Sequence, residues 1–306
     1  MSGIQLGQYP AASHLIAHLS DTHFLDDEAL LYGTVDTDSR VHRALDQIDR
    51  SGRHPDAIVI TGDVADRGEA GAYRRVRDLV EAAASGWGSE IVWVMGNHDK
   101  RDLFRSELLR NEPAEAAFQH PGSPVDRVVD VKGLRIISVD TSVPGYHHGE
   151  LSDAQLSWLA EELRDPAPHG TLLALHHPPI PTPLALMTVL ELRAQSRLAD
   201  VIRGTDVRSI LGGHLHYSTH GLFAGIPISV AAALCYTMDL SAPERELVGV
   251  NGAQSLNLVH VYDDQIVHSN LTIGPFDTVT RFPAAYLDSI EAMAPAERTE
   301  TFSRQV

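Results

Sequence analysis

The stretch EIVWVMGNHD, residues 90–99, joins an apolar run directly to a polar one. After Glu90 the run is β-branched, aromatic or otherwise apolar, which is typical of a buried strand. Gly96, Asn97, His98 and Asp99 follow without a spacer. Gly-Asn and Asn-His-Asp are also ordinary turn sequences, so a single ending of this kind carries little information. Its meaning depends on whether other strands end in the same way.

Short apolar runs of the same kind recur along the chain, with helical patterns between them. The other runs are residues 14–20, 56–62, 134–140, 171–177 and 207–213. Apolar residues at helical spacing separate them at residues 41–48, 73–80 and 156–163, the last after a capping-box pair, Ser152 and Gln155. This alternation predicts an α/β fold whose sheet is covered by helices.

The carboxyl-terminal quarter has a different pattern. Apolar runs at residues 226–234, 255–264 and 265–273 predict strands that extend or complete a second sheet, with a hairpin turn at Asp263-Asp264. Beyond them we expect one helix around residues 284–292 and a polar end. The chain is therefore predicted to have a main domain over residues 1–275 and a partly helical extension over residues 276–306.

Composition narrows the class of protein. The net charge of −17 arises from 24 Lys and Arg against 41 Asp and Glu, which argues against a nucleic-acid polymer as partner. We see no signal peptide and no apolar stretch near the roughly 20 residues that span a bilayer, so we expect a cytoplasmic protein. Cys235 is the only cysteine and is interpreted as a buried small side chain. The 17 histidines, many beside Asp, Asn or Gly, suggest a metal site.

Five of the predicted strands end in oxygen or nitrogen ligands, as EIVWVM does. Because carboxyl ends of parallel strands converge on one crevice, residues far apart in sequence can meet there. The candidate ligands are Asp21, His23, Asp63, Asn97, His176, His214 and His216. This set is too large for one tetrahedral zinc and fits two metal ions that share one carboxylate. We expect Asp-x-His and His-x-His to present their side chains on one side of an extended chain.

Taken together, the motif blocks resemble those of the calcineurin-like metallophosphoesterase superfamily, and most of all its class III bacterial cyclic nucleotide phosphodiesterases. The blocks are SDTH at 20–23, GD at 62–63 with DRG at 66–68, GNHD at 96–99, HH at 176–177 and GHLH at 213–216. The resemblance implies an αββα sandwich of two mixed sheets flanked by helices, with residues 1–275 as the catalytic domain. It also implies hydrolysis of 3′,5′-cyclic nucleotides, cAMP and also cGMP, to 5′-monophosphates by a hydroxide that bridges two metals.

The resemblance also distributes the ligands. Asp21, His23 and His216 would hold the first metal, and Asn97, His176 and His214 the second, with Asp63 bridging them. Such pairs are manganese, iron, zinc or cobalt. The choice of His176 over His177 follows the family pattern, in which the first histidine of the pair is the ligand.

Further residues receive roles at the substrate. By resemblance, His98 reaches the substrate phosphate, and we expect it to stabilise the transition state or protonate the leaving alkoxide, with Asp66 orienting it. Asn97 is expected to contact substrate as well. His147 and His148 form either a turn or part of the substrate pocket. Asp99 is interpreted as a helix cap for the following segment.

Several alternatives stay open at this point. The same machinery would serve 2′,3′-cyclic nucleotides or glycerophosphodiesters. A non-enzymatic alternative is a scaffold that binds nucleotide, or a cell-envelope partner through residues 276–306, which would place the protein peripherally at the envelope. Relatives in the superfamily are often dimers, so we expect a homodimer.

Overall fold

Two mixed β-sheets form the centre of the unit Ser13–Ile273 in the computed structural model, which describes residues 5–110, 120 and 122–304. The first sheet has three parallel strands, β1 (His14–Leu19), β2 (Ala57–Thr61) and β3 (Glu90–Val94). The second contains β4 (Arg127–Val131), β5 (Leu134–Val139), β6 (Thr171–Leu175), β7 (Val207–Gly212), β8 (Thr219–Phe223) and β9 (Ile226–Val230). Of these, β5, β6, β7 and β9 are parallel.

The strands near the carboxyl terminus join a different sheet from the one expected. A two-residue ladder pairs β10 (Thr237–Met238) with β11 (Gly249–Val250). The hairpin of β12 (Ser255–Val261) and β13 (Ile266–Thr272) turns at Asp263-Asp264, as predicted. It extends the first sheet, however, because β12 pairs antiparallel with β1.

The run 226–234 is also shorter as a strand than predicted, since β9 ends at Val230. Beyond this point the backbone turns toward the first sheet. Leu234 and Cys235 donate their N–H groups to the carbonyls of Ser20 and Asp21. The apolar residues at 231–235 are therefore buried between elements rather than along a strand edge.

Helices cover the outer face of each sheet. The first sheet packs against α1 (Thr37–Ser51) and α2 (Ala70–Trp87), which carry the predicted apolar faces. After β3 comes α3 (Arg101–Phe104), which continues as a π-helical turn over Arg105–Leu109. The second sheet packs against α4 (Asp153–Glu162), with its predicted capping box, and α5 (Gln195–Ile202).

The inner faces of the two sheets pack directly on each other. Ile16, Val59 and Val94 of the first sheet share one buried cluster with Ile136 and Leu172 of the second. Most strands of the two sheets contribute β-branched or leucine side chains to this cluster, as expected of sheets buried on both faces. The αββα sandwich is therefore confirmed.

The second unit lies within Met1–Ala12 and Gly274–Val306. It contains α6 (Ala284–Glu291), close to the predicted bounds, then α7 (Pro295–Arg298) and a π-helical turn over Thr299–Ser303. The Tyr286 ring contacts the rings of Phe282 and Phe302, at centroid distances of 5.2 and 5.6 Å. None of the helices in the described ranges has the length and apolar character needed to cross a bilayer.

Candidate dinuclear metal site

The seven candidate ligands lie just beyond the carboxyl ends of five parallel strands, three in the first sheet and two in the second. They are Asp21 and His23 after β1, Asp63 after β2, Asn97 after β3, His176 after β6, and His214 and His216 after β7. Because the sheets are stacked with these ends at the same edge, residues almost 200 positions apart become neighbours. All but Asn97 are buried.

The backbone around the ligands is not extended, contrary to the expectation for Asp-x-His and His-x-His. Asp21, His23, Asp63, His214 and His216 have φ values of 52°, 45°, 48°, 68° and 57°. This left-handed conformation is uncommon for residues with a Cβ and is maintained only where the surrounding structure enforces it. In Asp-x-His and in His-x-His both outer residues have this conformation, so their side chains do not follow the alternation of an extended strand.

One half of the site groups four side chains around a common point. Ligand atoms of Asp21, His23, Asp63 and His216 all lie within 4.8 Å of one another. His23 Nε2 is 3.5 Å from Asp63 Oδ2, and His216 Nε2 is 3.3 Å from Asp21 Oδ1. Among the described residues, Asp21 Oδ1 and His23 Nε2 are buried without a hydrogen-bond partner. Such atoms are costly to bury unless a cation or another ligand satisfies them, so the site fits a metal ion.

The other half is centred on His176. Its Nε2 is 3.1 Å from Asn97 Oδ1 and 3.4 Å from Asp63 Oδ2, so Asp63 faces both halves. Its Nδ1 lies 2.7 Å from the Thr61 carbonyl, which makes Nδ1 the protonated nitrogen. His214 makes the matching contact through Nε2, 3.1 Å from the Leu190 carbonyl.

His177 is held differently from its neighbour. Its Nδ1 lies 2.7 Å from Thr141 Oγ1 and its Nε2 lies 3.1 Å from the His147 carbonyl. Both ring nitrogens are thus engaged within the protein. Burial, together with the proximity of His176, lowers the pKa of His177 to about 3, which keeps the ring neutral. His177 supports the site, and His176 presents a nitrogen to its centre.

Two glycines permit the close approach of these loops. A Cβ built on Gly96 would lie 2.2 Å from Asp63 Oδ1, and one on Gly213 would lie 2.0 Å from Ser20 Oγ. Either distance is far below van der Waals contact. The glycines of the GNHD and GHLH blocks therefore let the loops after β3 and β7 pass directly against the carboxylates.

His98 lies at the mouth of the site, with a side chain 29% exposed. Its backbone N–H donates to Asp63 Oδ1 at 2.8 Å, and its Nδ1 donates to the Asp66 carbonyl oxygen at 2.7 Å. The remaining nitrogen, Nε2, is the one available to a ligand. Although burial acts to lower it, the charge of Asp63 raises the pKa of His98.

The Asp66 carboxylate contacts a different histidine from the one expected. Its Oδ1 accepts from His23 Nδ1 at 2.9 Å, whereas His98 Nδ1 is 3.7 Å from the same oxygen. Asp66 therefore orients His23 with its side chain and His98 with its main-chain carbonyl.

The adjacent histidines at positions 147 and 148 diverge. His147 Nδ1 lies 2.9 Å from Asn97 Nδ2, and its ring centroid is 5.3 Å from that of His98. The His148 ring instead contacts Glu150 Oε1 at 3.1 Å and lies against Tyr146. The structure thus brings His147 to the site and leaves His148 in contact with Glu150 and Tyr146, next to the antiparallel bridge between Gly149 and Ser142.

Asp99 is not the helix cap that its position suggested. The residue preceding α3 is Lys100, and no side chain caps that helix. The Asp99 carboxyl instead accepts from the N–H groups of Val64, Ala65 and Gly96 and from Tyr73 Oη. Burial and the nearby Asp63 raise its pKa to about 7. Asp99 joins the GD and GNHD loops. Its role is therefore structural, as expected, but its partners are these loops and Tyr73 in place of a helix.

Sequence reasoning missed the groups that hold the ligands from behind. Ser20 Oγ donates to Asp21 Oδ2 at 2.5 Å, and Thr61 Oγ1 bridges Ser20 and the buried His18. His216 Nδ1 lies 3.1 Å from the Tyr236 carbonyl, with the buried Cys235 sulfur at 3.8 Å. Main-chain carbonyls have no signature in a sequence. Only Ser20, the first residue of the SDTH block, and Thr61, which precedes the GD block, carried a visible signal.

Comparison with known proteins agrees with this architecture. The family model described as calcineurin-like phosphoesterase matches residues 14–218. A cAMP/cGMP dual specificity phosphodiesterase from Mycobacterium tuberculosis is 52% identical over 92% of this chain and 86% of its own. A probable cyclic nucleotide phosphodiesterase from Rhodococcus erythropolis is 51% identical over 90% and 89%. The crystal structure of a dimetal phosphatase from Danio rerio has the same fold, with a TM-score of 0.60 at 16% identity over 86% of this chain and 99% of that one.

The family match covers about two thirds of the chain and contains every candidate ligand. It includes the five parallel strands whose ends carry them, and candidate His and Asp clusters lie where a dinuclear centre requires them. The chain belongs to the calcineurin-like phosphoesterase family.

Proposed function

We propose that the protein is a metal-dependent phosphodiesterase that hydrolyses 3′,5′-cyclic nucleotides, cAMP and also cGMP, to 5′-nucleoside monophosphates. The observation that carries the proposal is the 52% identity, over 92% of the chain, with a cAMP/cGMP dual specificity phosphodiesterase. The clustering of the seven candidate ligands supports it independently, since a phosphodiester needs positive charge that this acidic surface does not supply.

In this proposal Asp21, His23 and His216 hold one metal ion, Asn97, His176 and His214 hold the other, and both share Asp63. The mixture of carboxylate, amide and imidazole donors suits manganese, iron, zinc or cobalt. When bound, the two ions supply a nucleophile from water and stabilise charge on the phosphate.

The protein's own contribution begins with orientation of the ligands. The carbonyls of Thr61 and Leu190 each accept a hydrogen bond from one ring nitrogen of a ligand histidine, His176 and His214 respectively. Each contact selects the tautomer in which the other nitrogen faces the site, and it makes that nitrogen more basic. The Asp66 carboxylate does the same for His23.

In this proposal His98 acts on the leaving group. Its Nδ1 proton is committed to the Asp66 carbonyl, so Nε2 is the atom that reaches the phosphate or the departing 3′ oxygen. A raised pKa favours the imidazolium form of His98, which carries a second proton on Nε2 and is able to donate it. Asn97 and His147, joined side by side at the mouth, are assigned to contact with the phosphate oxygens.

The test is an assay of manganese-reconstituted protein on a substrate panel. The panel contains 3′,5′-cAMP, 3′,5′-cGMP, 2′,3′-cAMP, glycerophosphodiesters and bis-nitrophenyl phosphate. We expect comparable hydrolysis of 3′,5′-cAMP and the nitrophenyl ester, with both lost in Asp63→Ala.

The panel also decides among the other candidates. If the protein hydrolyses the nitrophenyl ester but not 3′,5′-cAMP, the proposed substrate is rejected. The substrate class is then the one whose diester is cleaved. A cellular effect that survives in Asn97→Ala, when hydrolysis is lost, would assign that effect to binding instead.

Four further expectations stay predictions. They are the homodimer, the cytoplasmic location, the peripheral envelope association through residues 276–306, and the division into a catalytic domain over 1–275 with an extension. Sedimentation of the whole chain at working concentration tests the first, and fractionation of cells that express the chain with and without residues 276–306 tests the others.

A further inference from the structure

A cavity of about 400 Å³ opens beside the candidate metal site, on the His216 side. It is lined by Tyr32, Thr34, Val35, Tyr236, Met238, Leu247, Gly249, Val250 and Asn251. None of these residues is a candidate ligand. The volume falls within the range of about 300–1,000 Å³ that small-molecule sites occupy.

An aromatic row links this cavity to the site. The Tyr236 ring lies 4.5 Å from the ring of His216 on one side and 5.6 Å from the ring of Tyr32 on the other. The inner wall of the cavity therefore starts one ring away from a candidate metal ligand. In a 3′,5′-cyclic nucleotide a single ribose separates the base from the phosphate, so a surface that binds the base is expected close to the metal site.

Tyr32 is presented at the surface by a rigid support. Leu31 and Val35, on either side of it, are buried in a small cluster with Ala233 and Cys235. Tyr32 itself is 73% exposed and has a φ of 51°, in the left-handed region. An exposed aromatic ring held in a strained conformation by buried neighbours is a common arrangement at ligand sites.

The cavity also offers one polar group of defined orientation. Asn251 Oδ1 accepts from Arg40 Nη2 at 2.7 Å and from Gln254 Nε2 at 3.2 Å. The amide nitrogen is the remaining polar atom of that side chain and is a donor. Both adenine and guanine present ring-nitrogen acceptors, so this donor suits either purine.

The cavity on the opposite side of the site is less suited to a base. It has a volume of about 480 Å³ and includes Asn97, Lys100 and Arg101. No aromatic side chain is among its described lining residues. The Arg101 guanidinium is already engaged with Asp140 and with the carbonyls of Gly122 and Ser142.

We propose that the cavity lined by Tyr32 and Tyr236 binds the purine base of the substrate, with Tyr32 stacking on it. This inference rests on the proposed function for its substrate class. It makes Tyr32 a determinant of substrate binding with no part in bond cleavage.

The first test separates KM from kcat. Tyr32→Ala should raise the KM for 3′,5′-cAMP about tenfold or more while kcat changes less than about twofold, because stacking is lost and the metal site is intact. Tyr32→Phe, which keeps the ring, should behave as wild type. Leu222→Ala is the matched surface control, since Leu222 is 72% exposed and lies at the far end of the second sheet. An unchanged KM in Tyr32→Ala, or an equal change in Tyr32→Phe, would overturn the proposal.

The second test does not require hydrolysis of a cyclic nucleotide. Inhibition of nitrophenyl ester hydrolysis by 5′-AMP is compared with inhibition by ribose 5-phosphate, which lacks the base. Tyr32→Ala should weaken inhibition by 5′-AMP about tenfold and leave that by ribose 5-phosphate unchanged. An equal effect on both inhibitors would overturn the cavity assignment. Failure of wild type to cleave 3′,5′-cAMP would defeat the proposed function alone, because this inhibition ratio still reports on the cavity.

Discussion

Asp63 and Asp99 are buried carboxyl groups on adjacent loops, and they differ in their hydrogen-bond partners. Asp99 accepts four hydrogen bonds, three from backbone N–H groups and one from Tyr73. Asp63 accepts one backbone N–H, from His98, and turns its second oxygen toward His23 and His176 at 3.5 and 3.4 Å.

The contrast extends to the surroundings of each group. Around Asp99 the protein satisfies its own polar atoms, as buried structural groups require. Around Asp63 the neighbouring Asp21 Oδ1 and His23 Nε2 lack hydrogen-bond partners among the described residues. The backbone of five candidate ligands is also left-handed. Polar atoms left unsatisfied in a strained setting mark a site for an external ion, whereas satisfied ones mark a joint between loops.

The strongest test of this contrast is Asp63→Asn. We expect kcat/KM to fall at least about 10³-fold, because a neutral amide replaces the charge that both metal ions would share. Stabilisation by added manganese should fall with it; for a site saturated at 100 times its Kd this amounts to about 2.7 kcal/mol. Thermal melts with manganese and with chelator measure that loss. Wild-type hydrolysis or an undiminished manganese response would place the shared ligand elsewhere.

His98→Ala tests whether the mouth of the site contributes a proton. We expect a loss of about 10²–10⁴-fold in kcat on 3′,5′-cAMP, whose leaving alkoxide needs protonation. On bis-nitrophenyl phosphate the loss should be less than about tenfold, since nitrophenolate leaves unprotonated. Asp66→Asn preserves the carbonyl that holds His98, so its effect should be equal on both substrates. Equal losses in His98→Ala would remove the general-acid role.

Asp99→Ala tests the other side of the contrast. Removal of a buried group that accepts four hydrogen bonds should lower the free energy of unfolding by about 3 kcal/mol. Tyr73→Phe removes one of those bonds and should cost about 1 kcal/mol. Urea denaturation in the presence of chelator measures both without contributions from metal. Wild-type stability of Asp99→Ala, combined with a loss of manganese binding, would instead make Asp99 a ligand.

A third buried carboxyl, Asp126, lies between these two cases. Its Oδ1 accepts from Asp140 N and Gln155 Nε2, while Oδ2 has no partner among the described residues. Burial and the charge of Asp140 raise its pKa from 3.8 to about 8. The folded chain therefore keeps a proton that the unfolded chain releases between these values.

The sign of the pH dependence follows from that difference. The contribution of Asp126 to the free energy of unfolding should fall as pH rises from about 4 to about 8, by at most about 1.4 kcal/mol per unit, and level off above. The Asp126→Asn side chain cannot ionise, so the free energy of unfolding of this variant should lack this contribution. Denaturation midpoints at several pH values compare the two proteins, and identical slopes would show that Asp126 is ionised in the folded state.

Much of the fold followed from the sequence because burial on both faces leaves a local record. Each short apolar run between turn residues became a strand, and the capping-box pair Ser152 and Gln155 began a helix as predicted. The strands β4 and β8 were missed because they lie at an edge of the second sheet, where exposed and half-buried residues dilute the apolar pattern. The hairpin β12–β13 was recognised, but its sheet was not, since the choice of neighbour depends on β1 and not on the hairpin itself.

The same distinction applies to the residues of the candidate site. The residue types and their order within five blocks were visible in the sequence, and they predicted a site for two metal ions. Tertiary structure alone showed that five candidate ligands have left-handed backbone conformations, that His147 and not His148 faces the site, and that the Asp66 carboxylate contacts His23. The physical reason is that side-chain identity is a local property, whereas hydrogen-bond partners such as the carbonyls of Thr61, Leu190 and Tyr236 come from distant segments and are chosen only when the two sheets pack.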